Sequence, residues 1–174
     1  MAITLTHCDG IALLDLGDDE NRFSPEFLDE LDAHLDEVAA SQATGLPTAA
    51  AINGHAFGAA AMLTMAHDFR AMRADRGFFC FPEVDIRIPF TPGMAALIQA
   101  KLTPQTAVAA MTTGRRFGGT DAQAVGIVDV TATDGAVTKA ACDLLRPLGA
   151  KHRGTLGAIK NTMFGAAVAV LTGD

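Results

Sequence analysis

The chain begins with two short apolar runs, Ile3 to Cys8 and Ile11 to Leu16, rich in β-branched and aliphatic side chains. Asp9-Gly10 between them is a two-residue hairpin signal, so the runs predict two antiparallel strands. The period then lengthens. Ser24-Pro25 offers an N-cap oxygen and a proline at the first helical position, and Phe27, Leu28, Leu31, Leu35 and Val38 follow at helical spacing. Thr48 to Ile52 reads as a short buried strand, Asn53-Gly54 as a turn, and Gly58 to about Asp68 as a helix of small residues. Phe69 to Ala74 predicts another strand, closed by the turn Asp75-Arg76-Gly77. Thr91-Pro92 and Thr103-Pro104 repeat the cap-then-proline signature, so two helices follow, the second stopping near Gly114. Thr120-Asp121 is expected to cap a short helix ending at Gly126, and Ile127 to Val130 to form a strand. Ala136 to Leu171 reads as helical, with a break at Pro147-Leu148-Gly149. Strands first and then mostly helices, with strand–helix steps between, predict an α/β layered domain.

Composition narrows the function classes. Apolar residues make up 49% of the 174 residues and charged residues 19%. The length suits one domain with a sizeable core, and the low charge fits either a subunit interface or a small alanine-rich domain. The net charge is -7, and the basic residues form no stripe that could neutralise phosphates, so nucleic acid is not an expected partner. No apolar stretch approaches the ~20 residues of a membrane span, and His67-Asp68 closes the run from Gly58 to Ala66, so no membrane partner is expected. Cys8, Cys80 and Cys142 are odd in number and form no C-x-x-C pair. Without a signal peptide they suggest reduced thiols in a cytoplasmic protein. His55 and His67 have no acidic partner at ligand spacing, so no metal site is expected.

The segment with chemistry in it is Asn53-Gly54-His55-Ala56-Phe57-Gly58-Ala59-Ala60-Ala61-Met62. A buried strand feeds a glycine turn, and small residues then start a helix. The first turn of a helix leaves N–H groups without intrahelical partners, its dipole favours negative charge, and Gly and Ala let a ligand approach the backbone. Such a turn can hold an oxyanion, for example a thioester enolate. The same turn also occurs for packing alone in many α/β folds. Glu83, flanked by Phe78, Phe79, Phe81, Ile86 and Ile88, is the second candidate. An apolar setting disfavours its charged form and raises its pKa toward that of a useful base. The alternative is a surface Glu in a turn after a strand.

Several motifs stand in one order: Asn21-Arg-Phe-Ser-Pro-Glu26, Ala51-Ile-Asn-Gly-His-Ala-Phe-Gly58, Met65-Ala-His-Asp68, Phe81-Pro-Glu-Val-Asp-Ile86, Thr113-Gly-Arg-Arg-Phe-Gly-Gly-Thr-Asp-Ala122 and Val125-Gly-Ile-Val-Asp129. Together they resemble the crotonase (enoyl-CoA hydratase/isomerase) superfamily over nearly the whole chain, and within it the Δ3,Δ2-enoyl-CoA isomerases. The resemblance implies a crotonase-like layered sheet core over residues 1–130. Residues 131–174 would be a C-terminal helical region that assembles a homotrimer or homohexamer. It implies an acyl-CoA substrate, with coenzyme A as part of that substrate and no separate cofactor. Ala59 would be a backbone donor to the thioester oxygen, and Glu83 the catalytic carboxylate. Hydratases carry a second glutamate where this chain has Met62, which favours an isomerase moving a proton from C2 to C4. Gly58, Phe57, Met62 and Phe90 would contact substrate, although Met62, Met65, Met94, Phe57 and Phe90 fit a core equally well. Lys160 resembles a lysine that approaches the CoA phosphate from a neighbouring subunit, and fits a solvated surface lysine equally well. The chain departs from the family pattern in one place. Ala39 to Pro47 alone joins the first helix to the Asn-Gly strand, where the family has further strands and a loop giving a second oxyanion donor. This leaves a hydratase, or a non-catalytic CoA-binding or structural subunit, as the alternatives.

Overall fold

The computed structural model describes residues 3–40 and 45–173. The centre of the short link, 41–44, lies outside the described residues. Strands β1 (Thr4–Cys8) and β2 (Ile11–Asp15) form the expected antiparallel hairpin, with Cys8 opposite Ile11. Its turn residues Asp9 and Gly10 have φ of 52° and 76°, the paired left-handed conformations of a type I′ turn. Helix α1 (Pro25–Ala40) starts where Ser24 Oγ accepts the Phe27 N–H at 3.3 Å. The hairpin is tied to α1 by the Ile3 N–H donating to Glu30 Oε1 at 2.9 Å. Of the helix's apolar stripe, Leu31 is buried, while Leu28 and Leu35 are exposed.

The domain centres on a parallel sheet of β3 (Ala49–Ile52), β5 (Phe69–Arg73) and β7 (Val130–Ala132), in the order β3-β5-β7. Helix α2 (Ala59–Ala66) lies between β3 and β5 in sequence. A second pair, β4 (Ala56–Phe57) and β6 (Phe79–Cys80), is also parallel. The short helix α3 (Glu83–Ile86) precedes α4 (Pro92–Lys101) and α5 (Pro104–Thr113). The Thr91 and Thr103 hydroxyls each accept a backbone N–H at 3.2 Å, so both cap-then-proline signals work as expected. Phe79, Phe81, Phe117, Met65, Met72, Ile98 and Ile127 form the centre of the larger core. A smaller cluster, Ala71, Val137 and Ala141, packs with Ala49 and Ala51.

In these elements, structure and sequence expectation part at α6, at the strand after it and at the C-terminus. Helix α6 (Gly119–Ala124) is preceded by Gly118 rather than capped by Thr120-Asp121. A Cβ on Gly119 would stand 2.2 Å from the Arg73 carbonyl oxygen, so the glycine lets this turn approach the end of β5. The strand expected at Ile127 to Val130 begins only at Val130. Ile127 and Val128 give their N–H groups to the Ala122 carbonyl, and sheet pairing starts after Asp129, whose N–H donates to the Arg70 carbonyl at 2.9 Å. The third difference concerns the C-terminus. Helix α7 (Val137–Leu145) and a 3-10 turn (Arg146–Leu148) lead into α8 (Arg153–Thr172), so the break falls as expected. By length and composition alone, however, α8 is long and apolar enough to cross a membrane. The expectation that no stretch reaches that length is therefore corrected. Lys160 near its middle is ion-paired to the domain, which is the behaviour of a packed surface helix.

The corner between α2 and β5 joins these elements. The Asp68 carboxylate accepts the Thr48 N–H at 2.8 Å, the Thr48 hydroxyl at 3.1 Å and the Lys160 ammonium at 2.8 Å. The adjacent His67 carbonyl accepts from Arg70 Nη1 at 3.0 Å and Lys101 Nζ at 3.2 Å. Arg70 is buried and also donates through Nε to the Ile127 carbonyl at 2.6 Å. Asp68, His67 and Arg70 thus hold the start of β3, α4, α8 and the approach to β7. Asp68→Ala would leave the Thr48 N–H and hydroxyl without their acceptor and Lys160 with the Leu46 carbonyl but no carboxylate. It is expected to lower the unfolding free energy by about 1.5–3 kcal/mol, the range for hydrogen bonds to charged groups, measured by urea denaturation.

Candidate active site

The β4–β6 pair was not anticipated from sequence, because two residues per strand carry no readable period. It is nevertheless what brings the candidate residues together. Ala56 pairs with Phe79 and Phe57 with Cys80. The Ala56 N–H donates to the Phe78 carbonyl at 2.9 Å and the Gly58 N–H to the Cys80 carbonyl at 3.1 Å. The strands are parallel, so the chain leaves both at the same end, about 4.8 Å apart in the hydrogen-bonding direction. One continues through Gly58 into α2 at Ala59, and the other through Pro82 into α3 at Glu83.

Gly58 has φ 52° and ψ −116°, a conformation that is strained for any residue with a Cβ. A side chain there would meet open space rather than a neighbour, so backbone conformation alone demands the glycine. The first helical hydrogen bond of α2 runs from the Met62 N–H to the Gly58 carbonyl at 2.9 Å. The N–H groups of Ala59, Ala60 and Ala61 precede it, and none has an acceptor among the described residues. A cleft of about 340 Å³ opens over this turn, between Glu20 to Phe23 on one side and His55, Phe57, Ala59 and Ala60 on the other. His55 stacks on Phe57, with ring centroids 5.1 Å apart, and Arg116 lies 5.7 Å over the Phe57 ring. This aromatic shelf was not legible in the sequence, since nothing in the spacing of His55 and Phe57 signals a stack.

Glu83 is the first residue of α3 and only 7% exposed. Its Oε2 is buried without a hydrogen-bond partner. Burial pushes its pKa above the usual carboxylate value of 4.5, opposed in part by a hydrogen bond to its own backbone. The apolar setting differs in detail from the expected one. Phe79 and Phe81 have no accessible surface, while Phe78, Ile86 and Ile88 are exposed at 41%, 55% and 57%. Arg87, in a left-handed conformation at φ 60°, ends α3 and turns Ile86 and Ile88 outward. The carboxylate does not line the cleft above Ala59.

The remaining candidates divide. Met62 is buried in the core beside Phe79 and Phe81, and Phe90 is half-buried, edge-on to Phe81 at 6.0 Å. Met65 belongs wholly to the core. Lys160 is neither free nor fully solvated: its ammonium is held by the Leu46 carbonyl at 2.7 Å and by Asp68. It borders a different cleft, of about 270 Å³, with Gly45, Gly157 and Phe164. His67 ends α2, its Nδ1 2.9 Å from the Leu63 carbonyl, and burial lowers its pKa.

A helix N-terminus with open N–H groups and a buried carboxylate thus stand at the ends of paired parallel strands in a layered α/β protein. The chain belongs to the enoyl-CoA hydratase/isomerase family, whose model matches residues 5–172. It is 39% identical over 109 residues to enoyl-CoA delta isomerase 3 of Arabidopsis thaliana, covering 61% of this chain and 46% of that protein. It is 39% identical over 98 residues to the peroxisomal enoyl-CoA delta isomerase 2 of the same plant, covering 56% and 41%. The matches thus span less than half the length of these relatives. Among solved structures, human mitochondrial delta3-delta2-enoyl-CoA isomerase superposes with a TM-score of 0.91 at 16% identity, over 99% of this chain and 86% of that one. An enoyl-CoA hydratase from Mycobacterium marinum gives 0.90 at 18% identity, over 99% and 96%. At these identities the superpositions establish the crotonase fold, as expected from the motifs.

The raised pKa of Glu83 has a stability consequence. Between the unfolded value and the higher folded value, the native state binds more protons than the unfolded state, so stability falls as pH rises through that window. Glu83→Gln removes the ionisation. The variant is expected to melt at the same temperature as wild type below the usual glutamate pKa and at a higher temperature than wild type at neutral pH. Melting curves recorded from acid to neutral pH test this. A constant difference at every pH would contradict it.

Proposed function

We propose that the chain is an acyl-CoA isomerase that shifts a double bond from C3 to C2 of an enoyl thioester. The observation that supports this most is Glu83, a buried carboxylate with one oxygen unpartnered, at the strand end beside the open N–H groups of α2. In this mechanism the thioester oxygen lies against the Ala59 N–H. Glu83 takes a proton from C2, the negative charge moves onto the thioester oxygen as an enolate, and the proton returns at C4 as the double bond settles between C2 and C3. A raised pKa suits a base that must give its proton back. Met62 is apolar and buried where a hydratase would need a second carboxylate, which argues for isomerisation over hydration. Coenzyme A enters only as part of the substrate. The family membership and the isomerase relatives agree with this reading.

Two observations favour a second reading, a non-catalytic acyl-CoA-binding or structural subunit. The link from α1 to β3 is too short to supply a second oxyanion loop, and loss of one such donor costs ~10²–10³ in rate. The Glu83 carboxylate also stands outside the open cleft. Assembly into a trimer or hexamer is part of the proposal. Ile159, Met163 and Val168 leave an apolar face of α8 exposed, and faces of that kind mark partner contacts. Sedimentation at micromolar concentration would give a stable monomer if this part is wrong.

The activity test compares 3-enoyl-CoA isomerisation with 2-enoyl-CoA hydration for wild type and Glu83→Gln. Wild type is expected to isomerise faster than it hydrates, and Glu83→Gln to lose ~10²–10⁴ in isomerisation rate, the usual contribution of a general base. Hydration exceeding isomerisation would reject the isomerase assignment. Equal isomerisation by both proteins would reject Glu83, and binding of acyl-CoA without turnover would favour the second reading.

A further inference from the structure

We propose that a proton on His67 loosens α8 from the rest of the domain, so that the helix is clamped at neutral pH and released in mild acid. The proposal stands apart from the isomerase reading and holds whether or not the chain turns over a thioester. Two tethers of α8 end at the last turn of α2. The Lys160 ammonium reaches the Asp68 carboxylate at 2.8 Å. One turn further along α8, the Phe164 ring lies under the Lys101 ammonium of α4, with 3.7 Å from nitrogen to ring centroid. That ammonium in turn donates to the His67 carbonyl at 3.2 Å. Packing alone holds the far end of α8, where a Cβ on Gly93 of α4 would stand 2.9 Å from the Leu171 Cα.

His67 stands where both tethers meet. Its Nδ1 donates to the Leu63 carbonyl at 2.9 Å, so the neutral ring carries its proton there and a second proton makes the ring a cation. Arg70 of β5 and Lys101 of α4 already bond to the carbonyl of this same residue, and Lys160 of α8 is held by the next one. The facing carboxylates are Asp68 and, 3.9 Å from Arg70 Nη2, Asp129. Cations therefore outnumber carboxylates before the imidazole titrates. Burial lowers the His67 pKa; Arg70 and Lys101 lower it further, while the Leu63 bond and Asp68 oppose them. Of the cations, Lys101 is the one set to give way. Its partners are a carbonyl and a ring, neither charged, and burial holds its pKa below the usual lysine value. Arg70, by contrast, is locked by the Ile127 carbonyl and faces Asp129. An imidazolium also competes with Lys160 for Asp68, so one proton works against both tethers of α8. Between the depressed folded value and the ordinary 6.5, the native state binds fewer protons than the unfolded state. The stability involved is complete above the ordinary value and is lost as pH falls below it.

The experiment follows amide hydrogen exchange of the full chain from about pH 7.5 to about pH 5.5, the range in which a histidine changes charge. Protein concentration is held constant and rates are corrected for the intrinsic pH dependence of exchange. Wild type, His67→Asn and Lys101→Met are compared, and the His67 ring is titrated by NMR. Asparagine can keep the donor to the Leu63 carbonyl without titrating, and methionine keeps a stem against Phe164 without the charge. Glu83 is present in all three proteins, so differences between them exclude its ionisation. In wild type, α8 is expected to lose protection as pH falls, by up to ~10-fold per pH unit for one proton, while β5 loses less. His67→Asn is expected to keep its α8 protection. In Lys101→Met the His67 titration should move up toward its ordinary value and the loss over α8 should shrink. Constant α8 protection in wild type overturns the proposal, as does the same loss in wild type and a folded His67→Asn. An equal loss over α8 and β5 also overturns it, because the proton would then act on the whole fold. If His67→Asn does not fold, the ring titration decides: a wild-type His67 titrating at or above its ordinary value, or one unmoved by Lys101→Met, contradicts the mechanism.

Discussion

The carboxylate of Asp68 is the contact on which the rest of this small domain depends. It sits at the corner where α2 gives way to β5, accepts from both polar groups of Thr48 at the start of β3, and holds the Lys160 ammonium from α8. A parallel pair such as β3 and β5 cannot be closed by a tight hairpin and needs a crossover. Asp68 fixes where that crossover ends relative to where it began. With β3 and β5 in register, α2 is set in place, and Gly58 and Ala59 are set at its start. The neighbouring His67 carbonyl extends the grip to Arg70 and Lys101, so the helical layer and the sheet are held at one corner.

Glu83 is the opposite case. Asp68 Oδ2 accepts from three donors, whereas Glu83 is buried with Oε2 unpartnered. A buried polar group without a partner carries a cost of about 1–3 kcal/mol, and folds tolerate few of them. The cost is borne where two parallel strands, β4 and β6, deliver a carboxylate and a row of unsatisfied N–H groups to the same end. Both groups lack what the other's ligand would supply: the N–H groups lack an anion, and the carboxylate lacks a proton donor. Under the isomerase proposal, a thioester with an acidic C2–H and an oxygen able to become an enolate would meet both needs at once.

Much of this was legible in the sequence, for identifiable reasons. The hairpin, the two Thr-Pro helix starts and the Gly58 turn are local decisions of backbone chemistry, and the structure follows them. The crotonase-type motifs carried the fold, and they singled out Ala59 and Glu83. What could not be read was set by tertiary contacts. The β4–β6 pair is too short to have a period. The late start of β7 follows from Asp129 bonding to Arg70, residues far apart in sequence. The exposure of Ile86 and Ile88 follows from the left-handed turn at Arg87, which hydrophobicity does not signal. Lys160, open in the sequence between a ligand contact and a surface charge, is committed to Asp68 by a fold that joins residues 92 positions apart.

The most direct test of the central claim is hydrogen exchange at C2 of a 3-enoyl-CoA in heavy water, followed by mass spectrometry before the double bond has moved to completion. Removing the C2 proton is the step assigned to Glu83, and exchange reports it even when return at C4 is slow. The account predicts that wild type incorporates deuterium at C2 and that Glu83→Gln does so only at the background rate. Deuterium entering C2 equally fast with both proteins would contradict it.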